Sequence, residues 1–176
     1  MTRKEYKEIL EYELYQGKKP DLLNRIRIKH FQPNTNCMYL AQKMWYYYQK
    51  SSGGVNRIYA KLLYLRMIHR YGCCIYANAV VGKGFFIVHP VGIVIGKCII
   101  GNDFRINQNT TVGEKNPGDE AKGLTPVVGN NVSLCSNSCI LGAVHVADGV
   151  TIGANSLVIK DIGEAGTYVG SPTHRL

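Results

Sequence analysis

The chain has 176 residues, 45% of them apolar, which is enough to bury a hydrophobic core in one or two domains. Its formal charge is +9 at pH 7, and most lysines and arginines precede residue 71. This charge raises the question of a polyanionic partner, but no motif that reads nucleic acid is present, so none is predicted. No secretory signal and no run of about 18 apolar residues occurs. We therefore expect a soluble, cytoplasmic protein with at most peripheral membrane contact.

The six cysteines predict neither a zinc site nor a redox motif. They form no CxxC pair, and no histidine stands at zinc-finger spacing from them. We expect small apolar side chains in a reducing compartment and no metal. The cysteines are Cys37, Cys73, Cys74, Cys98, Cys135 and Cys139.

Residues 1–71 have the pattern of an α-helical N-terminal region. One segment starts with a Thr2 cap and ends at Gly17, and two more, 34–54 and 55–72, also end in glycine. The last segment carries an apolar stripe on a basic helix, which we expect to pack on the protein's own core. A membrane surface or nucleic acid is the alternative target of the stripe, which comprises Ile58, Leu62, Leu65 and Ile68.

After Gly72 the pattern changes to a repeat of six residues. Glycine often follows the aliphatic position, and the residue four places after it is small or apolar, as at Ala79, Val91 and Ser138. Three series carry the aliphatic positions: Ile75, Val81, Ile87 and Ile93; Val94, Ile100, Ile106 and Val112; and Val128, Leu134, Ile140, Val146, Ile152 and Val158.

A six-residue period predicts a coil of short strands and turns whose aliphatic side chains share one interior. We expect glycine to form the tight corners. An antiparallel sandwich is disfavoured because hairpin signals are missing at the required places. The sequence thus predicts a mainly β fold, a parallel β-helix over residues 72–176 preceded by helices, with a polar loop at 113–127 protruding from it.

The repeat region resembles a known enzyme family. The stretches "HPVGIVIGKCIIGNDFRINQNTTVGE", "IGANSLVIKD" and "VGSPTHR" are similar to the hexapeptide-repeat acyltransferases. Within them they resemble the serine O-acetyltransferase group and its short relatives associated with capsule and exopolysaccharide. The resemblance covers about residues 56–176. It implies a left-handed parallel β-helix and a homotrimer, with acetyl-CoA lying along a groove between subunits and the loop reaching over the adjacent site.

The resemblance gives His89 a role. In the family, the histidine of this motif is the general base for direct attack of a hydroxyl on the thioester, without an acyl-enzyme. A neutral imidazole suits that task because it can take the hydroxyl proton near neutral pH. Pro90 restricts the backbone at His89 and helps to fix the ring direction.

Further site residues follow from the resemblance. The backbone N–H of Gly113 is the expected oxyanion donor. Small residues at coil corners allow close approach of the pantetheine arm, and Lys160 and Arg175 are candidates for the nucleotide phosphates. The corner residues of this kind are Ser136, Gly142 and Ala154.

Three departures from the serine acetyltransferase pattern bear on the acceptor. Val88 stands where an Asp precedes the catalytic histidine, Thr125 where a second His precedes proline, and Cys74 where an Asp orients the imidazole. A zwitterionic amino acid therefore lacks its ionic contacts. We expect a sugar hydroxyl of a surface polysaccharide, bound near the polar stretch Asn107, Gln108 and Asn109.

Two alternatives remain open at this point. One is an L-serine O-acetyltransferase of cysteine biosynthesis, as the family name suggests. The other is a non-catalytic scaffold on the same coil, for which the loss of three polar partners is the expected sign. Binding of CoA separates an enzyme from a scaffold, since a scaffold has no need of it.

Overall fold

The computed structural model describes residues 1–15, 21–50 and 54–175. In this part of the chain four helices precede a series of short strands. The helices are α1 (Arg3–Tyr15), α2 (Leu22–Phe31), α3 (Pro33–Lys50) and α4 (Val55–Tyr71). The strands are β1 (Cys74–Ile75), β2 (Val80–Val81), β3 (Phe86–Ile87), β4 (Val94–Ile95), β5 (Ile99–Ile100), β6 (Arg105–Ile106), β7 (Thr111–Gly113), β8 (Val127–Val128), β9 (Ser133–Leu134), β10 (Cys139–Leu141), β11 (His145–Val146), β12 (Val150–Ile152), β13 (Leu157–Val158), β14 (Gly166–Val169) and β15 (His174–Arg175).

The helix ends follow local capping chemistry. Thr2 and Glu5 form a reciprocal capping box, with Glu5 N–H donating to Thr2 Oγ1 at 3.2 Å and Thr2 N–H to Glu5 Oε2 at 2.8 Å. The predicted cap at Thr2 is thus confirmed, whereas the predicted end at Gly17 lies outside the described residues. Gly72 ends α4 in the left-handed conformation, with φ 60°, and donates to the Ile68 carbonyl at 2.8 Å.

The strands form three parallel sheets, which are the three faces of a coil. Their orders are β1-β4-β7-β10-β13, β2-β5-β8-β11 and β3-β6-β9-β12-β14-β15, so each sheet takes every third strand up to β12. All pairings are parallel except the final β14–β15 pair. The predicted parallel β-helix preceded by a helical region is therefore confirmed.

The inward positions of successive coils stack directly on one another. Ile75, Ile95, Val112, Ile140 and Val158 are in register along the first sheet, and all are fully buried. The residue two places before each inward position is also buried, from Cys73 to Ser156. Each coil thus contributes its aliphatic side chains to one continuous interior.

The predicted repeat is wrong at Val94. This residue, expected inside, is 37% exposed, and Ile95 takes the inward place instead. Ile95 stands eight residues after Ile87 rather than six, because the corner between β3 and β4 holds two extra residues. The ladder pairing of Ile95 with Ile75 sets this register, which the aliphatic pattern alone left ambiguous.

The predicted role of glycine at tight corners holds for Gly84, Gly92, Gly142 and Gly149, which have positive φ, but not for the glycines that directly follow the predicted aliphatic positions. Gly82 is not in a left-handed turn; a Cβ there would lie 2.6 Å from the Gly101 carbonyl oxygen, so glycine permits close approach of two coils. Many left-handed corner positions are instead Asn or Asp, which tolerate positive φ better than other side chains. These residues are Asp103, Asn109, Asn131, Asn137 and Asn155, with φ between 55° and 60°.

Helix α4 packs by a different face from the predicted one. Its buried residues are Ala60, Leu63 and Met67, whereas Ile58 and Leu62 of the predicted stripe are 64% and 56% exposed. The buried face of α4 is therefore rotated from the predicted stripe and combines one small and two large apolar side chains. Among the described residues, no helix has both the length and the apolarity required to cross a bilayer.

Trp45 joins the helices to the first coil. Its ring is 2% exposed and meets Phe85 edge-on at 5.8 Å, and its Nε1–H donates to the Tyr76 carbonyl at 3.1 Å. Phe85 in turn stacks on Phe104 of the next coil at 6.3 Å. The helices thereby cover the apolar end of the coil, which would otherwise be open to water.

Glu13 is a second link between helix and coil. Its carboxylate accepts hydrogen bonds from Gly84 N–H at 3.0 Å, Phe85 N–H at 3.1 Å and Gln42 Nε2–H at 2.9 Å. Burial raises the pKa of Glu13 to about 7, although the three hydrogen bonds oppose the shift, and Asp103 adds repulsion. The native state therefore binds a proton at this position over a range in which the unfolded chain has lost it.

We predict that this proton makes folding stability fall as pH rises from about 4.5 to 7. Because the carboxyl pKa is raised in the folded state, proton binding stabilises that state fully below this window. This stabilisation is lost as the pH rises through the window, and the free energy of unfolding falls by about 1–3 kcal/mol. Glu13→Gln keeps a hydrogen-bond acceptor but does not titrate, so its stability should lack this component. Urea unfolding of both proteins across the window measures the difference; parallel pH profiles would contradict it.

Candidate functional site

Two corners of the coil carry most of the predicted site residues. The His89 corner comprises the turns β3–β4, β6–β7, β9–β10 and β12–β13. The Gly113 corner comprises the turns after β4, β7, β10 and β13. The two corners lie at opposite ends of the strands of the first sheet.

His89 lies in the turn enlarged by two residues. Just before this turn, Val88 N–H donates to the Ile106 carbonyl of the next coil at 2.9 Å. His89 is exposed while Pro90 is buried, and the His89 carbonyl accepts from Val91 N–H at 2.9 Å. No described residue hydrogen-bonds to the imidazole. The buried proline thus anchors a turn whose imidazole is open to solvent.

The turns below His89 stack through backbone hydrogen bonds. Asn109 N–H donates to the Val91 backbone carbonyl at 2.8 Å, and Asn137 N–H donates to the Gln108 backbone carbonyl at 3.1 Å. Asn155 N–H donates to Ser136 at 3.0 Å. Four coils therefore form one straight column of small and amide residues, and it contains the predicted residues Asn107, Gln108, Asn109, Ser136 and Ala154 together with His89.

Apart from His89, none of the turn residues of the column is acidic or basic. Asn107 Nδ2–H donates to the Leu134 carbonyl at 2.8 Å, so this amide is partly engaged. The Gln108 side-chain carbonyl is buried and has no hydrogen-bond partner among the described residues. An unpaired buried acceptor is unfavourable, and because the protein covers this oxygen, a ligand hydroxyl meets it only if the amide turns outward.

The remaining predicted residues lie away from His89 within one chain. Gly113 and Gly142 are both buried at the Gly113 corner, where Gly142 N–H donates to the Gly113 carbonyl at 2.9 Å. Strand β7 separates Asn109 from Gly113 by roughly 13 Å of extended chain. Lys160 is exposed at the last turn of this corner, and Arg175 lies on β15 in an ion pair with Glu164.

The loop between β7 and β8 folds against the Gly113 corner of earlier coils. It contains a short 3-10 helix, Glu120–Lys122. Asn78 Nδ2–H donates to Glu120 Oε1 at 2.7 Å, and Lys97 Nζ donates to the Glu120 carbonyl at 3.3 Å. These contacts fix the loop on the side of the coil opposite to the His89 corner.

The three positions that depart from the serine acetyltransferase pattern carry no ionic groups. Val88 and Thr125 are half-buried. Cys74 lies on β1, and its Sγ is 3.1 Å from the Tyr64 hydroxyl of α4. The structure therefore gives the imidazole no carboxylate from these positions.

Sequence reasoning missed two features of this corner. The extra two residues at His89 showed only as a one-residue displacement between two aliphatic series. The unpaired Gln108 carbonyl left no sequence signal, because its burial depends on how neighbouring coils stack. No group of three or more His, Cys, Asp or Glu residues that suits a metal occurs in the described ranges.

No protein-family model matches the chain. Among curated proteins, serine acetyltransferase of Staphylococcus epidermidis is 37% identical over 122 residues, which is 68% of this chain and 56% of that protein. Among solved structures, a serine acetyltransferase in complex with CoA aligns with a TM-score of 0.79 at 21% identity, covering 99% of this chain and 71% of that one. Soybean serine acetyltransferase complexed with serine aligns with a TM-score of 0.79 at 23% identity, covering 97% of this chain and 69% of that one.

The predicted similarity to serine acetyltransferases is confirmed in sequence, and the predicted hexapeptide-repeat fold is confirmed in structure. The chain spans only about half the length of the curated relatives it matches. The structural likeness extends to the helices as well as the coil, since nearly the whole chain aligns.

We predict that Gly92→Ala disrupts the His89 corner. Gly92 has φ 66°, and a Cβ there would collide with the Asn109 side chain of the coil below. Left-handed strain and the collision together should lower the free energy of unfolding by about 3 kcal/mol. Gly118→Ala is the matched control, because Gly118 has φ 87° but nothing within 4 Å of the added carbon. Urea unfolding compares the two; equal losses would contradict the packing argument.

Proposed function

We propose that this protein is an acetyl-CoA-dependent O-acetyltransferase with His89 as its general base. The observation that carries the proposal is the exposed imidazole on an enlarged turn, stacked above a column of small and amide residues. The sequence similarity to serine acetyltransferases supports the reaction class. The serine acetyltransferase solved with CoA supports the donor.

In the proposed reaction a ring nitrogen of His89 takes the proton of the acceptor hydroxyl as its oxygen attacks the thioester carbonyl. The tetrahedral intermediate then collapses with cleavage of the carbon–sulfur bond. The imidazolium returns its proton to the departing thiolate, giving an acetyl ester and CoA. No acyl-enzyme forms, so one histidine serves both steps.

The oxyanion and the donor require both corners. We infer that Gly113 donates its N–H to the oxyanion. Ser136 and Ala154 of the His89 corner and Gly142 of the Gly113 corner leave room for the pantetheine arm. Because the Gly113 corner lies across a strand from His89, a complete site needs the Gly113 corner of a second copy, in a homotrimer. Exposed Val80 and Ile99, adjacent on the outer face of the second sheet, support such an assembly.

The nucleotide phosphates of CoA need cationic partners near one end of the groove. Lys160 is the proposed partner, since its side chain is exposed at the last turn of the Gly113 corner. Arg175 is the second, and it would exchange its ion pair with Glu164 for a phosphate. Exposed ion pairs contribute little to stability, so breaking this one costs little free energy.

For the acceptor we propose a sugar hydroxyl of a surface polysaccharide or its precursor. The His89 corner offers Asn107, Gln108 and Asn109, and the unpaired Gln108 carbonyl accepts from a hydroxyl donor if the amide turns outward. Within one chain this corner has no charged group to hold an amino or carboxylate group. L-serine is the second candidate, on the similarity to serine acetyltransferases. A CoA-free scaffold is the third.

We predict that His89→Ala lowers kcat about 100- to 10,000-fold, because the proton has no acceptor in the variant. Release of CoA from acetyl-CoA is the measurement. His145→Ala is the control. His145 is exposed on β11, with its Nδ1 3.8 Å from Asp161 Oδ1, and the variant should retain activity. Neither change should alter the melting temperature. Near-normal turnover in His89→Ala would remove the base assignment.

Acceptor choice is tested with a panel of L-serine, monosaccharides and short oligosaccharides. We predict CoA release with a sugar and not with serine. Gln108→Leu should raise KM for that sugar about tenfold or more, with KM for acetyl-CoA unchanged, since it removes one hydroxyl acceptor. Release with serine alone would replace the sugar proposal. Absence of CoA binding would favour the scaffold.

A further inference from the structure

The four helices surround a cavity that the proposed reaction does not use. Its volume is about 850 Å³, within the range of sites that hold small-molecule ligands. The walls come from α1, α2, α3 and α4, and no residue of the His89 or Gly113 corner lines it. We refer to it as the helical cavity.

Positive charge converges on the helical cavity from every helix. Among the described residues, seven lysine and arginine side chains line it, against the single carboxylate of Glu11. None of the seven belongs to an ion pair with another described residue. Helix α1 contributes Arg3 and Lys7, α2 contributes Arg25 and Lys29, and α3 and α4 contribute Lys43, Lys50 and Arg66.

Such an arrangement is unfavourable in the empty protein, because like charges repel when they face one cavity. The ammonium groups of the lysines on α3 lie over tyrosine rings and form no ion pair with a described carboxylate. Lys43 Nζ lies 5.5 Å from the Tyr39 ring centre and 5.4 Å from that of Tyr59, and Lys50 lies 5.5 Å from Tyr46. A ligand with several negative charges would relieve the repulsion.

Tyrosine is the other main component of the wall. Six tyrosines line the cavity, and Tyr6 stacks on Tyr46 with ring centres 4.5 Å apart. Aromatic faces stack on planar rings such as nucleobases. Phenolic hydroxyls donate hydrogen bonds to phosphate or sugar oxygens. The wall therefore combines groups for a planar ring with groups for anionic oxygens.

We propose that the helical cavity binds a nucleoside diphosphate. The base would stack on the tyrosines, and the two phosphates would take the arginine forks and lysine ammonium groups from opposite helices. A lone phosphate would leave the aromatic wall unused, and an uncharged nucleoside would leave the cations unpaired. This inference does not rest on the proposed acetyl transfer, since the cavity and the two corners share no residue.

The test is calorimetric titration of the full chain with uridine diphosphate near 0.15 M salt. CoA is left out of the titration, because its own nucleotide would compete for the cavity; the variants described next separate the cavity from a CoA site. We expect uridine diphosphate to bind at least tenfold more tightly than uridine or inorganic pyrophosphate. The readout needs no catalysis, so it stands even if the protein releases no CoA in the acetyl-transfer assay.

A matched pair of charge-reversal variants locates the site. Lys7→Glu with Arg25→Glu changes two lining residues and should weaken binding at least tenfold. Lys4→Glu with Arg27→Glu makes the same chemical changes on the same two helices, at exposed residues outside the cavity, and should stay within twofold. Melting curves check that both variants fold.

Three results would overturn the proposal. Equal weakening by the two double variants would mean a diffuse charge effect. Pyrophosphate binding as tightly as uridine diphosphate would mean that the aromatic wall takes no part. No uridine diphosphate binding, with capture on phosphatidylglycerol vesicles that only the cavity variant loses, would assign the basic surface to a membrane.

Discussion

The register of the coils is the constraint on which this structure depends. Each inward aliphatic side chain lies directly above its counterpart one coil away, as Ile95 does between Ile75 and Val112. Ladder hydrogen bonds hold the coils at a fixed spacing, and burial of the stacked side chains provides the main stabilisation. An insertion that preserves this stacking is tolerated only at a corner. Chemistry is therefore confined to the corners.

The His89 turn shows how a corner becomes a site. Two extra residues enlarge the turn so that His89 is exposed while Pro90 stays buried, and Ile95 restores the register in the next strand. The imidazole is thus exposed on a rigid support without loss of core packing. The turns below it are backbone-bonded and uncharged, which favours a neutral ligand along the column.

The helices complete the coil as well as adding to it. A parallel coil ends in an apolar surface, and Trp45 covers it by packing on Phe85 while donating to the Tyr76 carbonyl. Glu13 ties α1 to the same end. Because these contacts use one side of the helices, the basic side remains for the cavity between them. The charge imbalance of the sequence is thereby concentrated at one place.

The sequence alone was sufficient for the coil, since a six-residue aliphatic period is typical of a β-helix, and its motifs predicted both the similarity to serine acetyltransferases and the proposed role of His89. It did not determine the register at Val94 and Ile95, because both are aliphatic and only ladder pairing distinguishes them. It also misassigned the α4 stripe, since which face of a helix is buried depends on its neighbours in space, and the structure buries Ala60 and leaves Ile58 exposed. The column at the His89 corner and the helical cavity arise from residues distant in sequence, so only the tertiary structure could bring them together.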